Sequence, residues 1–308
     1  MKEVTVFAPA TVANVACGFD ILGFALERPG DTVRASLTGG EEVKIVSISG
    51  DGGRLPLSAD KNTVGVAIKH FLAFIGEKRG MEVRLEKALP LGSGLGSSAA
   101  SAVAGVVAAN VLLGEPLTPE ELIPFTMEAE RAACGAGHAD NVAPAMLGGF
   151  VLIRGYDPLD LIKIPAPEAL CCAVVHPHIE VRTEDARKIL RREIPLKDAI
   201  VQWGNIGGLI AGLMKGDYGL IGRSLKDVII EPVRSLLIPG FEQVKQAAMD
   251  AGALGCSISG SGPSVFALGN DRGKIEAAGE AMQAVFGEMN IDSDLFISGI
   301  NNKGPVIV

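Results

Sequence analysis

The sequence predicts a mixed α and β protein in two halves, on three observations. Short segments that alternate apolar and polar residues are interleaved with longer ones carrying apolar residues at helical spacing. A run of small residues at 90–101, Pro-Leu-Gly-Ser-Gly-Leu-Gly-Ser-Ser-Ala-Ala-Ser, stands between a strand pattern and an apolar helix pattern. The segment Pro158–Glu168 carries three prolines and reads as the crossing between halves. At 308 residues one to two domains are expected, and the division falls at 1–160 and 161–308.

Val4–Ala8, Val33–Leu37 and Val43–Ile48 read as strands, and Asn62–Ile75 as a helix. Met81–Leu85 is a strand leading into the glycine run, and an Ala-rich helix, Ala99–Asn110, follows it. Thr118-Pro119-Glu120-Glu121 starts the next helix with a capping hydroxyl, Pro at the first helical position and Glu at the third. That helix is expected to reach Cys134, before the Gly135-Ala136-Gly137 break. Phe150–Arg154 and Cys172–Val175 read as strands. Thr183–Leu190, Val201–Met214 and Phe241–Ala251 read as helices, Gly252 stopping the last. A second loop of glycine and serine, Ser259-Gly260-Ser261-Gly262-Pro263, lies next to a strand.

Hydrophobic residues make up 48% and charged ones 21%, the balance of an ordinary globular chain. Aromatics are only 5% against 39 glycines, which points to tight turns and close packing. A net charge of −8 argues against nucleic acid as a partner. The five cysteines, Cys17, Cys134, Cys171, Cys172 and Cys256, form no CxxC pair and read as buried free thiols in a reducing compartment. Met1–Val4 lacks a signal-peptide pattern, and no apolar stretch reaches membrane-spanning length. A cytoplasmic location without a membrane partner is expected.

The glycine run is the most informative part of the chain. Gly92, Gly94 and Gly96 free the backbone to approach a ligand, and the helix behind them offers unpaired N–H groups and a partial positive charge. One of the hydroxyls of Ser97 and Ser98 is placed to cap that helix and another to reach a phosphate-bound metal. It is not a P-loop, because Gly96 is followed by Ser97 and the next lysine is Lys163. It is not a dinucleotide fingerprint either, because Ser97 stands where Gly or Ala is needed and no acidic residue follows at the right distance.

Three further clusters carry chemistry. Pro9–Asp20 includes Asn14 and Asp20 in a turn after the first strand, which plain turn formation also explains. Glu130, followed by Gly137-His138-Ala139-Asp140-Asn141, offers hard oxygen ligands and a group near a reacting hydroxyl; a solvated helix end and a turn are the bland reading. Thr183, Arg187 and Arg234 form a polar and cationic set suited to a carboxylate or phosphate.

Together these motifs resemble the GHMP kinases. Within that superfamily Pro9–Gly23 (PATVANVACGFDILG), Gly137–Gly149 (GHADNVAPAMLGG) and Leu237–Phe241 (LIPGF) are similar to the homoserine kinase branch. The resemblance implies an α+β, two-domain fold. An N-terminal ATP-binding domain would contain a left-handed β-α-β unit, and a ferredoxin-like C-terminal domain would follow. It implies ATP as co-substrate with Mg²⁺, and L-homoserine as the acceptor phosphorylated on its side-chain hydroxyl, in threonine biosynthesis. Asn62 would lie beside the adenine. Pro90, Leu91, Gly92, Ser93, Gly94, Leu95, Gly96, Ser97 and Ser98 would wrap the triphosphate, with Gly260 and Gly262 shaping the wall near it. Ser98 and Glu130 would serve the metal, and Asn14, Asp20, His138, Asn141, Thr183, Arg187 and Arg234 would surround the amino acid. Arg187 and Arg234 would take the carboxylate, Asp20 the ammonium and Asn141 the hydroxyl. Whether Asp140, Asn141 or no residue acts as general base is open, and a homodimer is a family habit. A mevalonate- or shikimate-type kinase is the alternative, followed by a non-catalytic metabolite sensor on the same fold and an NAD(P)-linked enzyme.

Overall fold

Val4, Val6 and Ala8 are buried at every second position and extend the chain into a strand, β1 (Glu3–Ala13), whose remaining length is buried on both faces. The computed structural model describes residues 3–135 and 137–308. Met1, Lys2 and Ala136 of the expected Gly135–Gly137 break lie outside the described residues, as does the side chain of Cys134. β1 is followed by β2 (Leu22–Leu37), β3 (Val43–Ser49), α1 (Thr63–Ile75), β4 (Met81–Glu86), α2 (Ser97–Leu112), α3 (Pro119–Cys134), α4 (Ala139–Leu147), β5 (Phe150–Tyr156) and β6 (Leu159–Ile164). The second part of the chain forms β7 (Cys171–Pro177), α5 (Thr183–Lys188), α6 (Leu196–Lys215), α7 (Tyr218–Ser224), α8 (Glu231–Arg234), α9 (Phe241–Asp250), β8 (Gly255–Ile258), β9 (Val265–Gly269), α10 (Arg272–Glu288), β10 (Ser293–Gly299) and β11 (Val306–Ile307).

The first sheet runs β11-β1-β2-β4-β3, with β5 paired to the start of β2 and β6 beyond it. β3 and β4 are parallel and joined through α1, which makes a β-α-β unit directly ahead of the glycine run. The second sheet runs β10-β7-β9-β8, antiparallel throughout, with helices between β7 and β8 and α10 between β9 and β10. This is the ferredoxin-like order. The two sheets share a core: the Phe24 ring on β2 lies 4.8 Å from Phe150 on β5 and 6.0 Å from Phe266 on β9. α2 has no polar stripe because it is buried all round, packed on β1, β2, α1 and α3.

Several elements differ from the sequence reading. Residues 159–164, within the expected crossing, form β6, because Leu159, Leu161 and Ile164 pack on β5 while the prolines stay outside the strand. Residue 160 therefore lies inside the first sheet, and the chain changes sheet between Ile164 and Cys171. Nor does 161–308 stay in the second half, since β11 returns to pair with β1. Asp140-Asn141 is the first turn of α4 rather than an irregular turn. α5 stops at Lys188, two residues early, and the charged stretch Arg191–Glu193 after it is exposed.

Candidate active site

The two sheets meet over a cleft of about 440 Å³, lined from β1's exit loop, the glycine run, α3, α4, α5, α8 and the loop before β9. A larger open groove of about 700 Å³ between β3 and α1 carries charges already paired with one another, Lys44 with Glu42 and Lys69 with Asp60. The cleft gathers most of the candidate residues.

The glycine run crosses the cleft floor with Gly92, Gly94 and Gly96 all at positive φ. At Gly96 (φ 64) a Cβ would sit 2.1 Å from Thr11 Oγ1 and 2.8 Å from Asn141 Oδ1. At Gly94 a Cβ would sit 2.4 Å from the Ser259 carbonyl oxygen. Both positions therefore require glycine for space as well as conformation. Neither serine caps α2, contrary to the sequence expectation: Gly96 is the N-cap without a side-chain bond, and Ser97 Oγ donates instead to the Leu89 carbonyl. The first N–H groups of α2 thus lack side-chain caps at the cleft, the arrangement that attracts anions. Replacing Gly96 by Ala is expected to raise KM for nucleotide at least about tenfold through this double clash, read by steady-state kinetics.

Leu91, Gly92, Ser93, Gly94, Gly96, Ser97, Ser98 and Gly260 line the cleft, whereas Pro90, Leu95 and Gly262 do not. Leu95 is fully buried in the first core, and Gly262 lies behind the wall against Ile238. Asn62 reaches the cleft, but its amide caps α1: Oδ1 accepts from Val64 N at 3.1 Å and Nδ2 donates to the Pro56 carbonyl.

The loop after β1 turns sharply, with Asn14, Val15, Ala16 and Asp20 all at positive φ. Such strain in non-glycine residues persists only where surrounding bonds hold it. Asn14 supplies them, accepting from Asp20 N at 3.0 Å and donating to the Gly260 carbonyl at 2.7 Å. Asp20 is held by Arg187 in a two-bond fork, 2.8 and 3.1 Å, so the two residues expected to take opposite ends of a ligand are paired with each other. Arg234 is almost wholly buried, donating to the Ala186 and Gly260 carbonyls, and its pKa is pulled down to about 10 by burial and then by Arg187. Thr183 reaches Ser261 across the cleft edge at 3.3 Å.

His138 lies 4.0 Å from Asp20, and its Nε2 is buried without a hydrogen-bond partner. Burial holds its pKa below the usual imidazole value, which opposes charging despite Asp20. Asp140 is buried and its pKa is pushed up to about 7, first by desolvation and then by the Asp20 charge. Burial also raises the pKa of Glu130, against a hydrogen bond from Ser98. Thr11 Oγ1 donates to Asn141 Oδ1 at 2.7 Å, which leaves the Asn141 amide nitrogen on the other side.

The raised pKa of Asp140 has a consequence for stability. The folded chain keeps a proton on Asp140 that the unfolded chain releases near pH 4, so stability falls as pH rises from there through about 7. Asp140→Asn removes this loss. The variant is expected to gain over the parent between pH 5 and 8, on the order of a few kcal/mol, in parallel urea melts.

The sequence reading missed several residues of this site. Phe19 carries Arg234 and Arg187 over its ring at 4.9 and 5.6 Å. Tyr156 Oη accepts from Ala139 N and donates to the Asp20 carbonyl, tying the β1 loop to the start of α4. Phe19 and Thr11 stand inside the quoted Pro9–Gly23 motif, so their positions were a signal; Tyr156 had none.

The model of the GHMP kinases N terminal domain matches residues 62–149, and that of the GHMP kinases C terminal matches residues 209–288. The homoserine kinase of Chloroherpeton thalassium is 55% identical, with 100% of both chains covered. The chain belongs to the homoserine kinase family of GHMP kinases. A crystal structure of homoserine kinase from Cytophaga hutchinsonii shares 56% identity with this family member at a TM-score of 0.97, covering 100% of this chain and 98% of that one. The L. major mevalonate kinase in complex with R-mevalonate, at 18% identity and a TM-score of 0.70 over 97% of this chain and 94% of that one, shares the fold alone.

Proposed function

We infer that the chain transfers the γ-phosphoryl group of ATP to the side-chain hydroxyl of L-homoserine, giving O-phospho-L-homoserine and ADP, a step of threonine biosynthesis. The observation that carries this reading is the charge set facing the glycine run: Arg187, Arg234 and Asp20 within one cleft. L-homoserine is a zwitterion. Its carboxylate suits Arg187 and Arg234, and its ammonium suits Asp20. The zwitterion replaces both halves of the Arg187–Asp20 pair, so neither ion loses its partner when the pair opens. An acceptor with a carboxylate and no ammonium, of the mevalonate or shikimate type, leaves Asp20 uncompensated. Thr183 and His138 would close the amino-acid end, and Asn14 would hold the loop that carries Asp20.

The residues present suit Mg²⁺. Glu130 is a buried carboxylate in contact with the Ser98 hydroxyl at the cleft wall, a hard oxygen pair whose buried negative charge a divalent cation would compensate. When bound, the ion would neutralise charge on the β- and γ-phosphates. The α2 N-terminus and the loop amides would hold the triphosphate, and Asn62 would flank the base. The acceptor oxygen attacks the γ-phosphorus while the bond to the β-bridging oxygen breaks, and the hydroxyl proton leaves with the transferred phosphoryl group. We assign Asn141 a hydrogen-bond donor's role at the acceptor oxygen, since Thr11 already occupies its carbonyl oxygen. Asp140, protonated well above the ordinary carboxylate range, is assigned to positioning rather than to proton removal.

We propose further that the first domain carries the nucleotide and the second covers the amino acid. A cytoplasmic site is supported by Cys17, Cys171, Cys172 and Cys256, which are buried and unbridged. No described helix is long and apolar enough to cross a membrane. A homodimer is supported by the exposed apolar residues Leu196, Ile200, Trp203 and Met214 of α6, and sedimentation tests it.

The deciding experiment supplies ATP and Mg²⁺ with L-homoserine, mevalonate or shikimate in turn, measuring ADP and identifying product by mass. ADP formation with homoserine alone is expected, abolished by EDTA and restored by excess Mg²⁺. Turnover of another acceptor instead overturns the substrate assignment, and nucleotide binding without turnover of any acceptor favours a sensor.

A further inference from the structure

Outside the groups assigned above, the pair with both side chains almost wholly buried among the described residues is Lys87 with Asp31, 1% and 0% exposed. Its connections are specific. Asp31 Oδ1 accepts from Ala88 N at 3.1 Å and from Leu89 N at 3.2 Å, the residues that enter the glycine run. Lys87 Nζ donates to the Ser97 carbonyl at 2.8 Å, where the run becomes α2. Ser101 Oγ accepts from Lys87 at 2.8 Å and donates to Asp31 Oδ2 at 2.6 Å.

All three donors of the Lys87 ammonium are thus used within the protein, on Asp31, Ser97 and Ser101. Lys87 reaches the cleft wall but keeps no N–H for a phosphate. Burial pulls its pKa down, and Asp31, then Glu130 and Asp51, oppose that shift. The stretch between the two anchored ends, residues 90–96, contains three glycines at positive φ, residues whose backbone is the most permissive. Its apex is tied separately, by Ser259 Oγ to the Gly94 carbonyl and by Ser264 N to the Ser93 carbonyl.

We propose that Asp31 and Lys87 are positioning residues for the nucleotide, closing both ends of the phosphate loop so that its amides stand in their binding geometry before ATP arrives. The inference rests on the reading of residues 90–98 as the triphosphate loop. Pre-ordering of this kind lowers the conformational cost of binding. It predicts an effect on nucleotide affinity that leaves the amino-acid end alone.

The test uses Lys87→Met, Ser101→Ala and the double variant Asp31→Asn/Lys87→Met. The double variant leaves no unpaired buried charge and keeps an oxygen for Ala88 and Leu89, so it guards against a single variant that fails to fold. Calorimetry with the non-hydrolysable analogue AMP-PNP gives Kd, and steady-state kinetics give KM for both substrates. The double variant, folded by thermal melt, is expected to bind AMP-PNP about tenfold more weakly, with KM for L-homoserine within about twofold of the parent. Ser101→Ala is expected to weaken binding in the same direction by less. Unchanged Kd in folded variants, with only the melting temperature lowered, assigns the pair to stability and overturns the proposal. Parent protein that binds no AMP-PNP fails the kinase reading instead, so the two failures are distinguishable.

Discussion

Asp20→Asn is expected to raise KM for L-homoserine by roughly 100-fold while leaving KM for ATP within about twofold. The carboxylate holds Arg187 in a two-bond fork and is placed to receive an ammonium beside Arg187 and Arg234. Asn retains shape and one acceptor but removes the charge. The variant also loses its charge preference. 4-Hydroxybutyrate, which keeps the carboxylate and hydroxyl of homoserine without its ammonium, is penalised less by the variant than by the parent. The ratio of kcat/KM for homoserine over this analogue is therefore expected to fall. An unchanged ratio removes Asp20 from the ammonium site. The backbone at Asp20 already lies at φ 60, a region Asn tolerates well, so a folding defect is not the expected outcome.

Glu130→Gln is expected to cut kcat by on the order of 10²- to 10³-fold and to move the Mg²⁺ dependence of the rate to higher concentration. The two effects have one source, loss of the carboxylate that would meet the ion beside Ser98. Stability moves the other way. Desolvation raises the Glu130 pKa, so the folded chain favours its neutral form and loses stability as pH rises from the ordinary carboxylate range. Gln escapes this loss, and the variant should melt at or above the parent's temperature at pH 8. Inactivity combined with retained stability separates a functional carboxylate from a structural one. A variant with normal kcat and normal Mg²⁺ response refutes the metal assignment.

The parts of the fold legible in the sequence are those whose signals are local. Thr118 and Glu121 form a full capping box at the start of α3, as their spacing implies, and the glycine run meets α2 where the small residues begin. α4 was harder to see, since Asp140-Asn141 resembles a turn and Pro144 interrupts the helix pattern. β6 was masked by the prolines on either side of it. At the site, residue types pointed to an anion-binding loop and an amino-acid end. Their pairings depend on tertiary contact: Arg187 meets Asp20 across 167 positions and Asn141 meets Thr11 across 130. No periodicity or spacing encodes such meetings, and the same holds for Asp31 and Lys87, 56 positions apart.

The pairing of β11 with β1, Val6 opposite Ile307, also orders events during synthesis. β1 leaves the ribosome long before the strand that covers its outer edge. Throughout translation the nascent N-terminal half waits with an open hydrogen-bonding edge, the kind that recruits other strands. A fragment cut at residue 160 would keep that edge permanently, and it should be more prone to aggregate than the chain that supplies its own closing strand.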